Sequence, residues 1–86
     1  FGGIFMVKEQ LIVRGKVLHS KKARDFVDVT SKLKSSVYLE IGNRRINAKS
    51  IIGVLSMDLQ AGDRVWVLIN GEDEISAMDA IKEYVE

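Results

Sequence analysis

The apolar residues of this chain change period along its length, and the order of those changes limits the folds open to it. Val65, Val67 and Ile69 alternate with Trp66 and Leu68, the two-residue repeat of a strand that buries one face. Val37, Leu39 and Ile41 alternate with Tyr38 and Glu40 in the same way. Ala23, Phe26, Val27, Thr30 and Leu33 instead recur at three- and four-residue spacing, with Arg24, Asp25, Asp28 and Lys32 on the other side. That pattern predicts an amphipathic helix over residues 20–33.

The remaining segments fill in around these. Residues 6–13, "MVKEQLIV", mix alternation with an apolar end and read as a strand. Gly42 and Asn43 supply a pair of positive-φ turn residues, so residues 36–48 read as a hairpin. Ser50 precedes "IIGVLSM" and predicts an N-capped short helix, weakened by the internal Gly53. The acidic run Glu72, Asp73, Glu74 suits a helix start, and Ile75, Met78, Ile81 and Val85 continue it as an inward stripe. The order is β-α-β-β-α-β-α, which predicts an α+β sandwich with helices on one side of an antiparallel sheet.

Composition narrows the chemistry. With 86 residues there is room for one modest core, and residues 6–86 read as a single domain. We read residues 1–5 as a non-native or misassigned extension before a start at Met6, since "FGGIFM" lacks the basic segment and cleavage site of a signal peptide. A net charge of +1 argues against nucleic acid or a membrane surface as partner. No apolar stretch approaches the ~20 residues of a membrane span. One histidine and no cysteine exclude disulfides and thiol chemistry and predict no metal site.

Two side chains carry candidate chemistry. His19 falls just before the predicted first helix, where free backbone N–H groups gather and anions are favoured. A phosphoryl group on its imidazole would accept hydrogen bonds from the N–H groups of Ser20 and Lys21. The positive helix end would keep the free ring neutral, the form that attacks phosphorus. Lys21 and Lys22 would ease the approach of two anions. The plainer alternative is a solvated histidine beside an exposed basic turn. Ser50 is first of all an N-cap contributing about 1 kcal/mol; phosphorylated, it would place about two negative charges on a helix N-terminus, which the dipole tolerates. Ile51, Ile52 and Leu55 cannot all point inward on so short a helix, which leaves apolar surface for partners.

With these residues in view, the chain resembles the HPr family, the histidine-containing phosphocarriers of the phosphoenolpyruvate-dependent sugar phosphotransferase system. The strongest parts are "INAKSIIGVLSM" at residues 46–57, "AGD" at 61–63 and "NGEDE" at 70–74. The Ser-Ile-x-Gly-Val-x-Ser core at 50–56 is similar to the Gram-positive type, in which that serine is phosphorylated by a dedicated kinase. The resemblance implies an open-faced β-sandwich with a four-stranded sheet in order 1-4-2-3 and three helices on one face. It also implies a cytoplasmic carrier rather than a stand-alone enzyme, without cofactor. His19 would accept phosphate from phosphorylated enzyme I, with Lys21 and Ser20 beside it, and pass it to IIA-type proteins. Ser50 would be the regulatory serine, read by a serine kinase/phosphorylase and a catabolite-control transcription regulator. Ile51, Ile52 and Leu55, with Lys22 and Arg24, would meet partners.

Departures cluster at the histidine. Where the family has Gly-(Leu/Ile)-His-Ala-Arg-Pro-Ala, this chain has Val17, Leu18, His19, Ser20, Lys21, Lys22 and Ala23. Lys21 keeps a charge but lacks the planar fork with which arginine grips phosphate oxygens. Lys22 lacks proline's preset φ. Asp25 and Asp28 add negative charge to the helix face that, in the family, meets an acidic enzyme I surface. A phosphocarrier acting at His19 therefore competes with a module like the family's Crh branch acting through phospho-Ser50. A third reading is an interaction domain that uses Trp66, Leu68 and Tyr38 on the uncovered sheet face.

Overall fold

The computed structural model of the chain describes residues 7–14 and 21–86. Residues 1–5, Met6, His19 and Ser20 lie outside the described residues, as does the side chain of Lys21. The elements follow the expected order: β1 (Val7–Ile12), α1 (Lys21–Ser31), β2 (Ser36–Ile41), β3 (Arg44–Asn47), α2 (Ile51–Met57), β4 (Arg64–Asn70) and α3 (Glu74–Val85). All strand pairs are antiparallel, and the sheet order is β1-β4-β2-β3. The three helices cover one face.

Register explains which side chains enter the core. Val67 sits between Glu9 on β1 and Leu39 on β2, and Ile69 between Val7 and Val37. Directly opposed residues share a face, so Val65, Val67, Ile69, Val37, Leu39 and Leu11 all point at the helices and are buried. From the other layer come Ala23 and Phe26 of α1, Val54 and Met57 of α2, and Ala77, Met78, Ile81 and Val85 of α3. Within α1 the helical stripe is as the spacing predicts, with Val27 partly buried at its margin and Leu33 partly buried just beyond the helix end.

Several local expectations are corrected. α1 ends at Ser31, because Lys32 and Leu33 close the turn with three-residue bonds to Val29 and Thr30. In the hairpin only Gly42 has positive φ (+60°) and Asn43 does not; a single positive φ at the first central position is the type II′ pattern. Ile75 is exposed, and Ala77 takes its place on the inward face of α3. Asp73 occupies the N-cap position of α3 without capping it. Its carboxylate instead accepts from Lys34 N (2.9 Å), Ser35 N (2.9 Å) and the Ser35 hydroxyl, tying the start of β2 to the start of α3. Those bonds, led by the Ser35 hydroxyl, lower its pKa. Gly71 makes this junction tight, since a Cβ there would lie 2.6 Å from Ser35 Cα.

The uncovered face presents less than its sequence suggests. Leu68 stands between Lys8 and Tyr38 in the register and is only 5% exposed. Trp66 and Tyr38 are partly exposed, and the Lys8 ammonium lies 4.8 Å from the Trp66 ring centroid, a cation–π contact. This face therefore offers two rings, one capped by a cation, rather than a three-residue apolar patch.

Candidate functional site

α2 is short, and its position follows from its caps. Ser50 has extended backbone (φ −102°, ψ 118°), and its Oγ accepts from Gly53 N at 3.1 Å. At the other end Asp58 adopts a left-handed conformation, and its N–H bonds Leu55 O. Gly53, unfavourable by helix propensity, has a packing reason: a Cβ there would meet Ile46 Cβ at 3.3 Å and Asn47 O at 3.4 Å. The glycine lets α2 lie close on β3. Arg44 adds a second tie, its Nη2 donating to the carbonyl and hydroxyl oxygens of Ser56 at 3.1 Å each.

So seated, α2 sends Val54 and Met57 inward and turns three apolar residues out. Ile51, Ile52 and Leu55 are 37%, 77% and 42% exposed. Next to them runs α1. The two helices enclose a shallow groove lined by Arg24, Val27, Asp28 and Ile51. Arg24 is thus brought beside the apolar face, as its sequence position predicts, whereas Lys22 is exposed two residues earlier and does not line the groove. Asp28, whose charge the sequence already sets on the partner-facing side of α1, lines it too, and Val27 joins it unannounced by the sequence. The place of Val27 depends on how α1 packs against α2, which no local pattern states.

Ser50 is half-buried where the β3–α2 connection enters α2. That junction is held from below by Thr30, whose hydroxyl lies 2.7 Å from Ala48 O and 3.1 Å from Val27 O and is fully buried. Lys49 Nζ reaches back to Leu33 O at 2.8 Å, so its charge serves the end of α1.

The first turn of α1 is held from α3. Tyr84 Oη donates to Lys22 O at 2.9 Å, and its ring meets Phe26 with centroids 5.6 Å apart and planes tilted by 51°. Burial, and then the Asp25 carboxylate, raise the Tyr84 phenol above its ordinary pKa, further from neutral pH, where a phenol is already a donor. Tyr84 was missed by sequence reasoning, and nothing local points to a partner 62 positions away. Among the described residues no cluster of three or more histidine, cysteine or carboxylate side chains is placed to hold a metal ion. No described helix is long and apolar enough to cross a membrane.

Comparison with known proteins places this arrangement in a family. The model of the PTS HPr component phosphorylation site matches residues 7–86. The chain is 39% identical over 82 residues to the phosphocarrier protein HPr of Xylella fastidiosa, covering 94% of this chain and 92% of that one. It is 35% identical over 82 residues to the HPr-like protein Crh of Bacillus subtilis, covering 94% and 96%. The crystal structure of a phosphocarrier protein HPr from Bacillus anthracis superimposes with a TM-score of 0.90 at 28% identity, covering 94% of this chain and 98% of that one. With the sheet order, the helical layer and the phosphorylation-site match in agreement, this chain belongs to the HPr family of phosphotransferase-system phosphocarrier proteins.

Proposed function

We propose that this protein is a cytoplasmic phosphoryl carrier whose acceptor is His19, loaded by phosphorylated enzyme I and unloaded onto a IIA-type protein. The observation that carries this reading is the match to the HPr phosphorylation-site model across residues 7–86, with the single histidine of the chain two residues before α1. A neutral imidazole nitrogen attacks the phosphorus. The new N–P bond forms as the bond to the donor breaks, and the donor keeps that electron pair. The Ser20 and Lys21 N–H groups, the Lys21 ammonium and the positive end of α1 favour the phosphoryl oxygens. Partners dock on Ile51, Ile52 and Leu55, with Arg24 and Lys22 at the side. No cofactor is needed, because the activated phosphoryl group arrives on the donor protein.

The test is a chase. Labelled phosphoenolpyruvate and enzyme I from the same organism should give an acid-labile label that passes to a IIA protein and is missing in His19→Ala. Absence of label on the unmodified chain sinks the carrier reading.

A second reading, regulation through phospho-Ser50, is favoured by the likeness to Crh and by the position of Ser50 directly before the apolar face. Its partners would be a serine kinase/phosphorylase and a transcription regulator. ATP and such a kinase should then give an acid-stable phosphate lost in Ser50→Ala, and no incorporation would remove this reading.

A further inference from the structure

The chain leaves β1 at Arg14 and enters α1 at Lys21, and the intervening residues carry His19. Both flanks of that segment are held by two consecutive residues in the last turn of α3. On the upstream side Arg14 N donates to Val85 O at 3.2 Å. On the downstream side Tyr84 Oη donates to Lys22 O at 2.9 Å, in the first turn of α1. Neither holding group is free to wander. Val85 is buried, and the Tyr84 ring is lodged against the fully buried Phe26.

We infer that Tyr84 is a positioning residue for phosphoryl transfer: together with Val85 it fixes the separation and orientation of the two backbone ends from which the histidine segment runs. This rests on the reading of His19 as the acceptor. The physical reason is the short range of what α1 supplies. The field of a helix N-terminus falls off within its first turn, and transfer is sensitive to displacements on the order of 1 Å. A first turn tied only to its own helix would shift against α3 whenever a partner presses on the α1–α2 face. The Tyr84 hydroxyl couples that turn to the same α3 residues that hold Arg14. The phenol is suited to this, since a tyrosine hydroxyl keeps its proton through the neutral range, and burial moves its pKa further up.

A plain surface hydrogen bond between two helices would affect stability alone, so the experiment reads the histidine. Tyr84→Phe keeps the ring and its contact with Phe26 and removes the hydroxyl that donates to Lys22 O. In the full-length chain, the His19 imidazole is titrated by NMR, and initial rates of phosphoryl transfer from enzyme I are measured against chain concentration. The imidazole midpoint should rise by about 0.3–0.5 pH unit as the helix end acts on it less firmly, a two- to threefold change in its protonation constant. Turnover should fall about three- to tenfold with KM unchanged, while the melting temperature stays within about 2 °C. An unchanged midpoint overturns the inference. So does a rate loss that appears in KM or that tracks a drop in melting temperature. If the unmodified chain accepts no phosphoryl group, the acceptor reading has failed, and the titration alone judges the two-point hold: a shifted midpoint retains it and an unchanged one ends it.

Discussion

Replacing Ser50 tests whether the proposed regulatory phosphate is compatible with the cap that precedes α2. Its Oγ accepts from Gly53 N at 3.1 Å, and its carbonyl accepts from Val54 N at 2.9 Å. Ser50→Ala keeps the second bond and removes the first, leaving a partly buried N–H without its acceptor. Loss of such a cap costs about 1 kcal/mol. For a domain of this size that lowers the melting temperature by roughly 4–8 °C. Ser50→Asp retains an acceptor for Gly53 N and adds negative charge at the positive end of the helix, a gain of about 0.3–1 kcal/mol. It should therefore melt at or above the unmodified protein. Thermal denaturation followed by circular dichroism ranks the three. The expected order is aspartate at least equal to serine, and both above alanine. An aspartate variant less stable than the alanine variant would refute the reasoning, because a phosphate at Ser50 would then act by unfolding α2 rather than by recharging a folded surface.

Other consequences are as direct. Gly71→Ala should destabilise by about 3 kcal/mol in urea titration, since the new Cβ meets the Ser35 backbone and one of the two chains must move. Asp73 has its folded pKa lowered, chiefly by the Ser35 hydroxyl and then by Lys34 N. Its stabilising contribution is therefore present above its unfolded pKa and lost as pH falls through the lower folded value. Acid denaturation below about pH 4 should be less steep in Asp73→Asn, and identical slopes would contradict that assignment. Ile52, 77% exposed, makes little contribution to the core. Ile52→Asp should change stability by less than about 0.5 kcal/mol yet raise KM for transfer from enzyme I by about tenfold, as for loss of one apolar anchor in a small interface.

What was legible in the sequence was what depends on period and on local caps. The two-residue repeat of Val65, Val67 and Ile69 and the helical stripe of Ala23, Phe26 and Thr30 marked the core, and each of those residues is buried. Ser50 before an apolar run marked the cap that the structure contains. Missed features depend on long-range approach. Asp73 looks like a helix-start charge, but its partners lie 38 and 39 positions earlier. Gly53 looks like a defect in α2 until β3 is placed against it. Leu68 is apolar on the face the helices leave uncovered and is nonetheless buried, which its alternation alone does not show. The helical spacing of Ile75 to Met78 predicts an inward side chain, yet Ile75 lies in the first turn of α3, beyond the edge of the core. The surface around Ile51 combines both kinds of information: the excess of apolar residues and the charge of Asp28 are visible locally, and the contribution of Val27 only after helix packing.

The central claim, that His19 is the phosphoryl acceptor, is tested most directly by phosphorus NMR of the protein after incubation with phosphoenolpyruvate and enzyme I. The account predicts one phosphoryl group per chain, bonded to imidazole nitrogen, lost on acidification, absent from His19→Ala and retained in Ser50→Ala. A chain that stays unmodified, or a phosphoryl group that persists in His19→Ala, would contradict it.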